Sequence, residues 1–276
     1  MKTMTYRKIA AFLLLTVLFA AVLSSCSGAL PEMAVEILST GDSDCIIIRD
    51  GSHTVFIDTA DGDDYRQIYA RLTDLGISHI DAMILTHYDN DHIGSAAEIV
   101  RDFDVDAVYG PDYVRSSAEA KELDKAIAGS DAAMTKLKKD TVLAYGDMIF
   151  GVNVPAAKEY GDENDYSLII TLTYGGSTFI FLGDAVKTRM GEFNSTSIGT
   201  HYDVVKFPHH GDYFKALKSF VQFNPFDYGV SCVRNSDDVD TRLAELISLA
   251  GAEDVRTSDG AVTFISDGKS VKTAEK

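Results

Sequence analysis

Residues 86–92 read Thr-His-Tyr-Asp-Asn-Asp-His and place four groups able to hold a metal ion, His87, Asp89, Asp91 and His92, within six residues. Imidazole and carboxylate together suit divalent ions such as zinc, manganese or iron. Strand alternation would turn His87, Asp89 and Asp91 to one side, with His92 joining them as a helix begins. More ligand types end other apolar runs. Asp58 follows Val55-Phe56-Ile57, Asp184 follows Phe179-Ile180-Phe181-Leu182-Gly183, and the pair His209-His210 follows Val204-Val205-Lys206-Phe207-Pro208. A single aspartate at a strand end is ordinary turn chemistry. Three such ends together with the His/Asp cluster describe one site.

The elements that must carry these groups alternate between strand and helix. Ala34 to Leu38, Cys45 to Ile48 and Thr54 to Ile57 read as short strands, the last two joined by an Asp50-Gly51 turn. Tyr65, Ile68, Tyr69, Leu72 and Leu75 repeat at helical spacing before Gly76. Ile80 to Leu85 is a strand, with a helix from Ile93 to Val100; Val105 to Tyr109 is a strand, with a helix near Ser117 to Ala128. The second half repeats the theme. Tyr166 to Tyr174 and Thr178 to Leu182 form a hairpin, and strands at Asp203 to Phe207, Phe226 to Val230 and Ala261 to Ile265 frame helices at Tyr213 to Phe220 and Arg242 to Leu249. Such a mixture predicts sheets packed together and covered by helices.

The chain has 276 residues, 46% hydrophobic and 24% charged, with only 5 prolines, which excludes a disordered or collagenous protein. Three cysteines are too few for a disulfide framework. Asp+Glu outnumber Lys+Arg by 42 to 25, a net charge of -17 that argues against coating nucleic acid but not against cleaving phosphodiesters in a metal-bearing cleft. Lys2, Arg7 and Lys8 precede an apolar run from Ile9 to Leu23, short for a membrane span and right for a signal peptide. Leu23-Ser24-Ser25-Cys26 resembles the lipobox of bacterial lipoproteins. Residues 1–25 are therefore expected to be a lipoprotein signal peptide, with lipidation at Cys26, residues 26–32 a short tether and residues 33–276 one domain. An uncleaved anchor or a plain secretory signal is the alternative. The protein is expected outside the cytoplasm, held to a membrane by the lipid on Cys26, with no protein partner indicated. Cys45 and Cys232 lie in apolar runs and read as buried thiols, a disulfide between them remaining open.

The motif set resembles the metallo-β-lactamase fold, and within it the ComEC-like branch. The usual His-x-His-x-Asp-His is here His87-x-Asp89-x-Asp91-His92, a variant of that branch. Gly41-Asp42-Ser43-Asp44, Leu182-Gly183-Asp184-Ala185, Lys206-Phe207-Pro208-His209-His210-Gly211 and Thr257-Ser258-Asp259-Gly260 are similar to its other motifs. The resemblance covers roughly Ala34 to Gly268. It implies an α+β, four-layer αββα sandwich with two divalent metal ions, Zn or Mn, at one edge. His87, Asp89 and Asp184 would bind the first; Asp91, His92, Asp184 and one of His209 and His210 would bind the second, and Asp58 would orient the ligands. Four departures stand out: Ala60 where relatives often have glycine, Asp212 in place of serine, Asn235-Ser236-Asp237-Asp238 without the usual histidine, and no transmembrane competence domain.

Two metals roughly 3.5–4 Å apart would share a hydroxide, the nucleophile for an in-line displacement in which Asp91 takes part. Lys206 could contact a phosphate or protonate a leaving oxygen, or be a plain edge-strand lysine. Asn164 and Ser167 are candidate substrate contacts, although a turn and a strand start also account for them. His53, His79 and His201 lie outside every motif and are expected on the surface or behind the ligands, not as ligands themselves. The expected activity is that of an extracytoplasmic phosphodiesterase or nuclease acting on a small phosphodiester or nucleic acid. A hydrolase of a non-phosphate substrate, or a non-catalytic metal- or partner-binding lipoprotein retaining the fold, is the alternative.

Overall fold

A computed structural model describes residues 30–114 and 117–274. The expected signal peptide, Cys26 and most of the expected tether therefore lie outside the described residues. The folded unit beginning at Pro31 is built on two sheets. The first has eight strands: β1 (Met33–Ile37), β2 (Cys45–Arg49), β3 (Thr54–Thr59), β4 (His79–Ile84), β5 (Asp104–Pro111), β6 (Ala133–Leu137), β14 (Val262–Ser266) and β15 (Val271–Thr273). Their order is β15-β14-β1-β2-β3-β4-β5-β6, parallel from β3 to β6. The second has β7 (Thr141–Tyr145), β8 (Met148–Asn153), β9 (Ile169–Tyr174), β10 (Ser177–Phe181), β11 (Tyr202–Lys206), β12 (Phe226–Ser231) and β13 (Glu253–Arg256), in the order β13-β12-β11-β10-β9-β8-β7. It is parallel from β10 to β13.

Helices α1 (Tyr65–Asp74), α2 (Asn90–Ile93), α3 (Ala96–Asp102) and α4 (Ala118–Ala128) belong to the first half. Helices α5 (Lys187–Asn194), α6 (Lys215–Phe223) and α7 (Thr241–Ala250) belong to the second. Period-two alternation explains how each sheet buries both faces. Ile47, Phe56, Met83 and Val108 pack with Ile68, Leu72, Ile99 and Leu123 of the helices, which turns Ile46, Ile48, Val55 and Ile57 to the opposite face. The second sheet does the same, Ile180 and Val205 meeting Leu217, Phe220, Leu243 and Ile247. Between the sheets, the Ser266 hydroxyl of β14 donates to Ser177 of β10 at 2.7 Å, and Tyr228 packs edge-on to Phe264 with ring centroids 5.2 Å apart. Helix, sheet, sheet, helix is the expected sandwich.

Several boundaries differ from the sequence reading. β6, β7 and β8 were not expected, and neither were α5, β13 and β15. β6 and β7 bury little, and β6 carries Lys136, so no hydrophobic period announces them. The helix expected from Ile93 starts earlier, as α2, and breaks before α3. Cys45 and Cys232 are both buried free thiols, which answers the open disulfide.

Candidate metal centre

The parallel strands deliver their C-terminal ends to one edge of the sandwich, and every polar motif sits there. Thr86 to Asp89 follow β4 as a loop. Asp89 then stands at the N-cap of α2, and Asp91 and His92 come off its first turn. The helical start replaces the alternation expected of a strand, so Asp89 and Asp91 part company. Asp91, His92, Asp184 and His210 each bring one donor atom within 4.8 Å of the others. His92 Nε2 lies 3.3 Å from Asp184 Oδ1 and 3.5 Å from Asp91 Oδ2. His210 Nε2 lies 3.1 Å from Asp91 Oδ2 and 3.5 Å from Asp184 Oδ2. His87 flanks this group, its ring centroid 4.2 Å from that of His92 and its Nε2 3.8 Å from Asp89 Oδ2.

Each ring is held by its far nitrogen. Asp58 Oδ2 meets His92 Nδ1 at 2.8 Å while the same carboxylate accepts from the Thr86 N–H and hydroxyl at 2.7 and 2.6 Å. The Cys232 carbonyl meets His210 Nδ1 at 3.1 Å. Both arrangements leave Nε2 for the cluster, as a metal-binding histidine requires. Nothing in the sequence pointed to Cys232. The pair His209-His210 is separated by backbone: both have positive φ, 48° and 52°, in a short 3-10 turn. His210 turns in, whereas His209 turns out and pairs with Asp212 at 2.7 Å, so His209 is removed from the expected ligand set. Asp212, where the motif resemblance leads to an expectation of serine, is its partner there. Gly183 (φ 53°) allows Asp184 to reach the site, because a Cβ at 183 would sit 2.9 Å from Thr86 Cβ.

Two further expectations are corrected. Lys206 is fully buried and ion-paired with Asp44, with its Nζ 3.9 Å from Asp184 Oδ1 and 3.3 Å from the Gly183 carbonyl. It cannot touch a substrate or a leaving group; it balances charge under the ligands. Burial alone would lower its pKa, but Asp44, Cys232 and Asp184 together raise it, so it stays an ammonium. Ser167 is equally buried, and its hydroxyl accepts the Asp184 N–H at 3.2 Å, which makes it a support for the ligand loop. Asn164 lies in the 3-10 turn Glu163–Tyr166 and bonds through its backbone to Asp162 and Ser167, the turn role that the sequence also allowed. Asp44, which the sequence named within a motif but gave no role, donates its N–H to the Asp91 carbonyl at 3.1 Å. His79 and His201 precede or begin β4 and β11, at the far ends of those strands, and pair with exposed aspartates.

The donor set fits a divalent ion. His87 Nε2 and His92 Nε2 are buried with no hydrogen-bond partner among the described residues, a costly state unless another group fills it. Burial drives His87 well below the usual histidine pKa, so its imidazole is neutral and ready to ligate. For His92 burial acts the same way, but Asp184 and Asp58 outweigh it and hold the ring well above its ordinary value without a metal. Asp184 is held well below the carboxylate range: burial opposes this, and His92, His210 and Lys206 overcome it.

The chain belongs to the metallo-beta-lactamase superfamily, whose sequence description matches residues 38–233. It is similar to ComE operon protein 3 of Bacillus subtilis (strain 168), 31% identical over 151 residues, 55% of this chain and 20% of that protein. It therefore spans about a fifth of that relative. The ComEC-like kinship read from the motifs is borne out. Among solved structures, the metallo-beta-lactamase fold protein YhfI from Bacillus subtilis superposes with a TM-score of 0.58 at 12% identity, covering 88% of this chain and 100% of that one. CmlA, a diiron β-hydroxylase from Streptomyces venezuelae, gives 0.52 at 13% identity over 84% of this chain and 54% of that one. These likenesses establish the α+β sandwich. Proteins of this fold are for the most part metal-dependent hydrolases, and the hydroxylase shows that the fold also hosts other metal chemistry.

Proposed function

We propose that the protein is a phosphodiesterase using two divalent ions, Zn or Mn. The carrying observation is the donor set: Asp91, His92, Asp184 and His210 converge within 4.8 Å, with His87 and Asp89 beside them. Asp91 and Asp184 belong to the first group and Asp89 to the second, a carboxylate share that favours harder ions than an all-histidine site. When bound, such ions activate water and stabilise charge on a phosphoryl oxygen. The chain's own part is to hold the donors. Asp58 and the Cys232 carbonyl fix the two rings, Ser167 and Gly183 place Asp184, and the Lys206–Asp44 pair offsets the carboxylates from below. Kinship to ComE operon protein 3 supports a small phosphodiester or a nucleic acid as substrate.

From the N-terminal sequence we further propose that the protein lies outside the cytoplasm, with residues 1–25 as a lipoprotein signal peptide and a lipid on Cys26. Among the described residues no helix is long and apolar enough to cross a membrane. Incubating the purified protein with a chromogenic diester, with Zn or Mn, tests the activity, Asp91→Ala serving as control. Metal-dependent turnover lost in the variant is expected. A folded, metal-loaded protein that turns over no diester would leave a non-phosphate substrate or a binding role.

A further inference from the structure

Beside the metal centre the edge of the sandwich opens into a cavity of about 270 Å³ lined by Ser39, Thr40, Gly41, Asp64, Arg234 and Ser258. That is several times the roughly 30 Å³ share of a water molecule. It adjoins the ligands through the chain on both sides. Arg234 follows Cys232 by two residues, and the Cys232 carbonyl orients His210. Gly41 precedes Asp44 by three, and Asp44 is bonded to Asp91.

The hydroxyls of the lining are already engaged: Ser39 with the Thr257 carbonyl at 2.6 Å, Thr40 with the Ser43 carbonyl at 3.1 Å, and Ser258 with Ser236 at 2.8 Å. Arg234 is only partly so. Its backbone N–H and its Nε reach Asp42 at 3.0 and 3.5 Å, which leaves Nη1 and Nη2 without a hydrogen-bond partner among the described residues. The guanidinium lies flat over Gly41, where a Cβ would come within 2.9 Å of Nη2, so glycine at 41 is what admits it. The side chain is 69% exposed, with Asp42 beside Nε and Asp64 in the same lining, and its two outer nitrogens present an open fork of the kind that suits a phosphate. It stands out in a chain of net charge -17, in which the nearby Lys206 is spent on Asp44.

We propose that Arg234 binds a second phosphate of the substrate, next to the one being hydrolysed. The inference rests on the diesterase reading and narrows it: the preferred substrate is a nucleotide diester with a further phosphate, as in an oligonucleotide, and not an isolated diester. Arg234 is a specificity residue and takes no part in bond cleavage.

The test compares a dinucleoside phosphate with the same compound bearing a 5′- or a 3′-terminal phosphate, in the metal-loaded protein. One of the phosphorylated compounds is expected to have a KM about tenfold lower, the size of one charge-assisted contact of about 1.4 kcal/mol. In Arg234→Gln that ratio should fall to within about twofold of unity, and Arg234→Lys should keep part of it. Calorimetric binding of the phosphorylated compound to the metal-free protein should show the same ranking without any turnover. Equal KM values for all three compounds in the unaltered protein, or a preference that survives Arg234→Gln, would overturn the inference while the diesterase stands. Turnover of none of the three would overturn the diesterase reading and this inference with it.

Discussion

His92 Nδ1 and Asp58 Oδ2 lie 2.8 Å apart with neither side chain exposed, and Asp58 itself sits at φ 57°. A strained aspartate thus fixes the ring that joins the two halves of the donor cluster. Positive φ in a non-glycine residue costs of order 1–3 kcal/mol, and it persists here because Thr86 and His92 together hold the carboxylate. Asp58→Asn keeps the shape and tolerates the backbone, since asparagine is also at home at positive φ. Metal affinity should fall about 10–100-fold, measured against a competing chelator. Unchanged affinity would show that packing alone orients His92.

Lys206 and Asp44 form a buried ion pair, so removing one partner strands the other. Lys206→Met should cost about 3–5 kcal/mol in urea unfolding, and Lys206→Met with Asp44→Leu should regain most of it. A double variant no more stable than the single one would mean that the pair serves the metal ligands more than the core.

His210→Ala should lower metal-dependent activity by at least about 100-fold, whereas His209→Ala should stay within about threefold of the unaltered protein. The contrast follows from neighbours in sequence that point opposite ways. Equal losses would reverse the assignment of His210.

Metal binding should release protons near neutral pH. In the metal-free protein burial works to lower the pKa of His92 and His210, yet Asp184, with Asp58 for His92 and with Asp91 and Asp44 for His210, raises both. Ligation needs neutral imidazole, so affinity should climb with pH until these raised values are passed. The sign for folding is opposite. These two histidines favour the metal-free fold fully below the unfolded value of about 6.5, and that contribution is lost as pH rises through their folded pKa values. His87 is already neutral and releases nothing. Titration calorimetry in two buffers of different ionisation enthalpy counts the protons, and a count of zero at pH 7 would exclude the protonated network.

Ala60 stands where the motif resemblance leads to an expectation of glycine, and its φ is 55°. Ala60→Gly should therefore stabilise the protein by roughly 0.5–1 kcal/mol, read as a higher Tm. A lower Tm would show that the methyl group, fully buried in the core, matters more than the backbone strain.

Most of the fold was legible because apolar runs such as Val55-Phe56-Ile57 and Phe179-Ile180-Phe181 must be buried on both faces, and their polar tips mark one edge. The ligand cluster was legible for the same reason. Edge strands β6 and β7 escaped notice because half-exposed residues such as Lys136 and Thr141 carry no period. Lys206 misled, since a lysine beside a histidine pair looks like a substrate contact until its distant partner Asp44, 162 residues away, is seen. The choice between His209 and His210 rested on two backbone angles, and no side-chain pattern records those.

The four-residue donor group draws Asp91 and His92 from the loop and helix after β4 in one sheet, and Asp184 and His210 from the ends of β10 and β11 in the other. An ion bound there grips both sheets at once and has no equivalent site in the unfolded chain. Its concentration is then a lever on the lifetime of the folded state: at a hundred times its Kd the ion adds about 2.7 kcal/mol to unfolding. Starved of metal, the protein would lose a rivet as well as a reagent, and only Lys206 and the protonated His92 and His210 would be left to balance the carboxylates along that seam.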